Sequence, residues 1–273
     1  MPSIAILGSN GMLGQMARFY FSQYYEVTSF DLRYSLANRE NFLSGLKNID
    51  ADIIINCIGA IKQKDISKNH MIEINTFLVG DILNNLTEKQ IFIQPSTDCV
   101  YSGRTLKEKN MLIDPPDAFD IYGLSKLFGE KQALSYKNGV VVRSSIIGPD
   151  CRKNGLGLFN WFYRLNSGDK INGYSNHLWN GVTTLEWCKQ VEKNIIKKDY
   201  KDFLCLSSNI VSKFELLNMI NSIFNKNIII SEHQTDQNYN MSLEGNIHCK
   251  DLFKQLVDLK KVLRDFNEFN TET

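Results

Sequence analysis

Tyr122 and Lys126 stand four residues apart in Tyr122-Gly123-Leu124-Ser125-Lys126, a spacing that sets both side chains on one face of a helix. An ammonium held beside a phenol stabilises the phenolate and draws its pKa down from ~10, which makes tyrosine a usable proton donor near neutral pH. The same pair is also an ordinary surface contact, so its meaning depends on its surroundings. Upstream, Ser96-Thr97-Asp98-Cys99-Val100-Tyr101 follows a short apolar run and offers a hydroxyl at the end of a strand. A second constellation opens the chain, where Gly8, Gly11 and Gly14 follow Ile4-Ala5-Ile6-Leu7 as Gly-x-x-Gly-x-x-Gly. In that setting Gly8 permits the turn off a strand, Gly11 lets the backbone approach a pyrophosphate, and Gly14 lets the next helix pack on the strand. Phosphates would sit at the helix N-terminus, where free N–H groups and the positive end of the helix dipole point outward.

This glycine pattern is the looser of the dinucleotide fingerprints, so the rest of the chain must supply its context. The apolar run at 4–7 reads as a strand buried on both faces, followed by a helix to about Tyr24. Residues 26–30 make a second strand ending at Asp31, which lies 20 residues beyond Gly11. An acid at roughly 20 residues from the glycines is placed to bind the adenosine ribose hydroxyls. Arg33, two residues on, suits a 2′-phosphate instead, so NADH and NADPH both stay open; a turn or cap is the plain alternative for Asp31. The runs 52–59, 90–95 and 139–144 add three strands, with a long helix from Met71 to Leu86. β-Branched runs alternating with helical stretches predict a parallel sheet covered on both faces, doubly wound by right-handed crossovers, with ligands at the carboxyl ends of its strands. Thr97 and the Tyr122–Lys126 pair fall just beyond such ends.

Composition bounds the partners. With 31 basic and 30 acidic residues in 273, the chain has no bulk field for nucleic acid or an anionic membrane. No apolar run reaches the ~18 residues of a membrane span, and the N-terminus lacks the regions of a signal peptide, so the expected location is the cytoplasm. The six cysteines form no Cys-x-x-Cys and the four histidines show no ligand spacing. Neither a metal site nor a redox motif is signalled, and the thiols are expected to be free and mostly in the core.

Gly8-x-x-Gly11-x-x-Gly14, Ser96-Thr97-Asp98-x-Val100-Tyr101 and Tyr122-x-x-x-Lys126 together resemble the extended short-chain dehydrogenase/reductase family, and within it the dTDP-4-dehydrorhamnose reductase branch of nucleotide-sugar reductases. The resemblance is clear to about Pro149 and weaker to about Phe266. It implies a Rossmann-type doubly wound parallel sheet over 1–149 and a smaller mixed α/β substrate lobe over 150–273, some of whose segments return to the sheet. It further implies NAD(P)H as coenzyme, a nucleotide-activated sugar as substrate, a homodimer as one possible assembly, and a place in surface polysaccharide sugar synthesis. Carried over by position, Tyr122 is the proton donor and Lys126 the lysine that holds the nicotinamide ribose and tunes the tyrosine. Thr97 is the hydroxyl that binds the reacting carbonyl, and Asp98 the acid beside it. Gly8, Asn10, Gly11, Met12, Leu13 and Gly14 fall at the pyrophosphate turn, Asp31 at the adenosine ribose, and Ile58, Gly59 and Ala60 along the dinucleotide. The branch carries aromatic residues after the fifth strand where this chain has Ser145-Ile146-Ile147-Gly148, a departure that bears on the sugar.

The second half reads as the smaller lobe. A helix is expected over 155–166, capping boxes at Thr183-x-x-Glu186 and Ser212-x-x-Glu215, short strands at 203–206 and 228–230, and a last amphipathic helix from Leu252 to Phe266, with a frayed tail from Asn270. The charged run 197–202 reads as a solvated helix end. Asn154, Trp161, Asn180 and Thr183 are the substrate-side candidates, although aromatic residues at helical spacing are more often core. The expected activity is reduction of a keto group, at C4, on a nucleotide-activated deoxysugar. The alternatives are an epimerase or dehydratase that keeps its dinucleotide bound, and a non-catalytic regulatory subunit.

Overall fold

The structure is a computed structural model, and it describes residues 1–62, 66–104, 114–197 and 203–271. Seven strands form one sheet: β1 (Ile4–Leu7), β2 (Val27–Phe30), β3 (Ile53–Asn56), β4 (Ile91–Ser96), β5 (Gly139–Arg143), β6 (Phe203–Ser207) and β7 (Ile247–His248). Their spatial order is β7-β6-β5-β4-β3-β1-β2, and every pairing is parallel. The chain leaves β1 in one direction for β2 and then crosses to β3 on β1's other side. The carboxyl ends of β1 and β3 therefore flank the point where the winding reverses, the place such sheets keep their ligands. β1 and β3 are buried along their whole length, as expected for strands covered on both faces.

The helices are α1 (Met12–Phe21), α2 (Arg39–Leu46), α3 (68–83, with a π-helical turn at Glu73–Phe77), α4 (Ile121–Ser135), α5 (Leu158–Tyr163), α6 (184–196, opening at Thr184), α7 (Lys213–Phe224) and α8 (Leu252–Thr271). One face of the sheet packs α1, α6 and α8, through Met16, Trp187, Leu256 and Phe266 among others. The opposite face packs Phe42, Leu78, Val79 and Ala133 of α2, α3 and α4. Thus β6, β7, α6 and α8, all from the second half of the chain, complete the dinucleotide-side body. What remains outside is a small lobe of short sheets, pairing His177–Trp179 with Val211–Ser212 and Tyr239–Asn240, and Lys170–Tyr174 with Ile229–His233.

Local differences from expectation have local causes. α5 spans only Leu158–Tyr163 because Gly157, at φ +108°, cannot extend the helix upstream. Ser212 makes both halves of its capping box, whereas Thr183 makes one: Glu186 donates its backbone N–H to Thr183 while its carboxylate accepts from Gln190 Nε2 at 2.7 Å. Asn270 and Thr271 are not frayed, since α8 runs to Thr271 and Arg18 donates to the Asn270 side chain at 2.8 Å, while residues 272–273 lie outside the described residues. Residues 198–202 of the charged run lie outside the described residues. All six cysteines are free, with Cys188 and Cys205 buried and the others partly so.

Candidate active site

The turn after β1 is built as its glycines require. Gly8 has φ +76°, a left-handed conformation that side chains resist, and a Cβ on Gly14 would lie 2.1 Å from the Gly8 carbonyl oxygen. Gly11 is the residue before α1; no side chain caps that end, and a Cβ there would meet nothing closer than 3.5 Å. The first N–H groups of α1 are thus free of side-chain caps and have space before them, which suits a phosphate. Asp31, at the end of β2, accepts hydrogen bonds from Ser9 Oγ at 2.5 Å and from the Asn10 backbone N–H at 3.2 Å. A carboxylate has about four lone-pair sites, so capacity remains for ribose hydroxyls. Arg33 is exposed two residues further on. If it reads a 2′-phosphate, Arg33→Ala should lower kcat/KM for NADPH by roughly tenfold with little effect on NADH, the scale of one charge-assisted contact. Steady-state rates with both coenzymes check this, and an unchanged ratio removes Arg33 from the site.

From this turn a cleft of about 770 Å³ runs along the carboxyl edge of the sheet. Met12, Leu13, Ile58, Gly59 and Ala60 line one part, and Thr97, Asp98, Tyr122 and Lys126 another. Trp161, Trp179, Lys213 and Met241 form the wall on the small lobe. α4 is anchored against this edge in four ways. Asp120 caps its start, accepting from Gly123 N at 2.9 Å, and Gly123 lies so close to the Cys99 carbonyl that a Cβ would approach it to 2.1 Å. Farther along, Glu130 and Arg143 at the end of β5 form a bidentate pair at 2.8 and 2.6 Å. Asn75, in the π-helical turn of α3, accepts from Ala60 N at 2.9 Å and donates to Ser125 Oγ at 3.0 Å. It ties the loop after β3 to the helix that carries Tyr122 and Lys126, and π-helical turns often mark functional places.

Thr97 begins a short 3₁₀ turn after β4 and donates from Oγ1 to Asp98 Oδ1 at 2.9 Å. The Tyr122 phenol lines the same cleft near Thr97, so it stands beside the buried Thr97–Asp98 pair. Burial pushes the Asp98 carboxyl up, opposed by hydrogen bonds from Thr97, Ser145 and Cys99. Burial also raises the Tyr122 phenol, with Cys99 adding to the rise and Thr97 opposing it. This corrects the expectation of a phenol drawn down by its lysine: Lys126 Nζ instead donates to the Pro95 carbonyl at 2.7 Å, and desolvation lowers it to about 8. The cation over the Tyr122 ring is Lys62, 5.4 Å from its centroid and paired with Asp120 at 2.5 Å.

The substrate-side candidates divide. Trp161 is on the cleft wall and 46% exposed, free to meet a ligand's face. Asn180 and Thr183 are not on the cleft: both are buried, Asn180 exchanging hydrogen bonds with the Leu243 backbone and Thr183 capping α6. Asn154 is exposed and not among the lining residues either. Sequence reading missed Lys62, Asn75, Arg152 and Lys213. Arg152 was hidden by its partner Asp150, which it holds through two hydrogen bonds at the cleft wall.

A search of curated proteins gives no match. Among solved structures, the fold is similar to that of dTDP-4-dehydrorhamnose reductase from Bacillus anthracis in complex with NADP, with a TM-score of 0.82 and 19% identity over 95% of this chain and 99% of that one. It is similar to dTDP-4-dehydrorhamnose reductase from Yersinia enterocolitica, with a TM-score of 0.75 and 17% identity over 95% and 98%. It is also similar to dTDP-glucose 4,6-dehydratase from Bacillus anthracis in complex with NAD, with a TM-score of 0.73 and 14% identity over 97% and 98%. Identities this low carry the fold across and leave the reaction open. The sequence itself goes further: residues 4–150, more than half of the chain and the span that holds the glycine turn, Thr97, Tyr122 and Lys126, match the model of the NAD dependent epimerase/dehydratase family, to which this chain belongs.

Proposed function

We propose that the protein is an NAD(P)H-dependent reductase of the C4 keto group of a nucleotide-activated deoxysugar, supplying a sugar donor for surface polysaccharide. The observation that carries this reading is Tyr122 beside the hydrogen-bonded Thr97–Asp98 pair, with Lys126, in the same cleft as the open N-terminus of α1. NAD(P)H, when bound, supplies the hydride that adds to the carbonyl carbon. Thr97 and Tyr122 would hold the carbonyl oxygen, and Tyr122 would give it the phenolic proton as negative charge develops there. Burial, which disfavours the free phenolate, makes the phenol a reluctant acid in the unliganded protein, so proton transfer is favoured only once the oxygen has become strongly basic. Lys126 would hold the nicotinamide ribose and favour the phenolate left behind. Gly11, Met12 and Leu13 would hold the pyrophosphate, Asp31 the adenosine ribose, and Ile58 to Ala60 the length of the dinucleotide. Trp161 would lie against the sugar nucleotide.

The fold is shared with dehydratases as well as reductases, so coenzyme consumption is the deciding measurement. Purified protein given a nucleotide-linked 4-keto-6-deoxyhexose should oxidise one NAD(P)H per sugar, seen as loss of nicotinamide absorbance. Deuterium from labelled coenzyme should appear on C4 of the product. Product formed without net coenzyme loss would replace this reading by a self-recycling epimerase or dehydratase, and binding without product would replace it by a regulatory subunit.

A further inference from the structure

Asp81, near the end of α3, is buried and gathers two residues of the segment between β2 and α2. Tyr34 Oη donates to its Oδ2 at 2.5 Å, and Arg39 donates from Nε to Oδ2 and from Nη2 to Oδ1, both at 2.6 Å. Arg39 is the first residue of α2, so one carboxylate holds both ends of the turn 34–39. Inside that turn Asn38 donates to the Arg33 carbonyl at 2.6 Å and accepts from the Ser35 backbone N–H at 2.7 Å. The Tyr34 ring is seated edge-on against Phe42, whose own ring meets Phe30 at the end of β2. Burial alone would raise the Asp81 carboxyl, but hydrogen bonds from Arg39 and Tyr34 outweigh it and hold the group below its usual value. A carboxylate taken out of water and paired gives little net stability, and an apolar residue could fill such a place at less cost to the fold. What the charged group adds is direction: three hydrogen bonds fix the turn on α3.

We propose that Asp81 is a positioning residue for the coenzyme: by fixing Tyr34 and Arg39 on α3 it holds the adjoining stretch Asp31–Arg33 ready for the adenosine end of the dinucleotide. This rests on the placement of the adenosine ribose at Asp31 proposed above. Asp31 and Arg33 are exposed, and Tyr34 is the next residue along the chain. On its other side Asp31 is tied to the glycine turn through Ser9 and Asn10, so the stretch is held from both ends. The Arg39 fork is committed to Asp81, which leaves Arg33 as the guanidinium of this segment for a 2′-phosphate. A stretch ordered before its ligand arrives loses less freedom on binding, and the difference appears as affinity.

Asp81→Asn removes the charge that holds both residues and leaves Arg39, whose side chain is already 46% exposed, able to turn to water. Tyr34→Phe keeps the packed ring and removes one link only. Titration of nicotinamide fluorescence should give a Kd for NADH and for NADPH roughly five- to tenfold higher in Asp81→Asn and about threefold higher in Tyr34→Phe, the scale of one or two side chains that must be ordered on binding. ADP-ribose, measured by competition, should weaken by the same factors, because it carries the adenosine and lacks the nicotinamide. Asp31→Ala serves as the control for the placement of the ribose. If Asp31→Ala weakens the coenzyme and Asp81→Asn does not, the clamp has no part in binding and the proposal fails while the placement stands. A fall in Tm with affinity unchanged gives Asp81 a structural role only and has the same meaning. If Asp81→Asn weakens NADH but not ADP-ribose, it acts on the nicotinamide half and the proposal is overturned. If Asp31→Ala binds NADH like wild type, the ribose does not sit there and both readings fall. Should Asp81→Asn not fold, Tyr34→Phe decides by itself, and an unchanged affinity for ADP-ribose in that variant overturns the proposal.

Discussion

Tyr122→Phe is expected to lower turnover of a keto-sugar nucleotide by about 10²–10⁴-fold while changing coenzyme affinity less than about twofold, the range by which a positioned acid assists proton transfer. The substitution removes one oxygen from a side chain that already fits its site. Thr97 keeps its hydrogen bond to Asp98 at 2.9 Å, so no buried donor is stranded by the change. Coenzyme affinity should hold because the proposed dinucleotide contacts at Gly11, Asp31 and Lys126 remain. Pre-steady-state turnover and titration of nicotinamide fluorescence separate the two effects. Near-normal turnover would remove Tyr122 as the donor and pass the role to Asp98, whose carboxyl is buried, raised and hydrogen-bonded to Thr97. Lys126→Ala makes an instructive contrast, since it should weaken the coenzyme as well as slow the reaction.

How much of this was legible in the sequence follows from how far each feature reaches along the chain. The turn after β1 is decided within eleven residues, from Ile4 to Gly14, and Gly8 and Gly14 have the left-handed turn and the close packing that their spacing implied. Tyr122, Lys126 and Thr97 could be placed together because strand ends and a helical period put them there. What could not be read was where each polar group finds its partner. Lys126 points to the carbonyl of Pro95, 31 residues away, and so the simple picture of a lysine acidifying its neighbour gives way to desolvation. Asn180 looked like a free amide in a substrate lobe, yet it is spent on the backbone of Leu243, 63 residues on. Asn75 acts through a π-helical turn, which shifts it off the face that a 3.6-residue period predicts. Lys213 carried no motif, and only the folded chain brings it to the wall of the cleft.

The glycine turn offers the second large effect, and it separates folding from binding within one loop. Gly14→Ala places a methyl 2.1 Å from the Gly8 carbonyl oxygen and 2.8 Å from the Ser9 Cα, both backbone atoms that cannot swing aside. α1 must then lift from β1, against a face where Leu13, Met16 and Ala17 are packed in the main core. Overpacking of this kind costs about 3 kcal/mol or more, so Tm should fall by roughly 6–12 °C. Coenzyme affinity should fall with it, because the N-terminus of α1 moves with the helix. Gly11→Ala differs in kind. Its φ of −82° suits alanine and its Cβ would meet nothing nearer than 3.5 Å, so Tm should stay within about 3 °C of wild type. The space that the methyl enters is the space proposed for the pyrophosphate, and NAD(P)H should bind at least tenfold more weakly, by roughly 1.4 kcal/mol. Thermal melts of the two variants with and without coenzyme read both effects at once. If Gly11→Ala bound coenzyme as tightly as wild type, the phosphates would have to lie elsewhere along the cleft, and the open end of α1 would need another ligand.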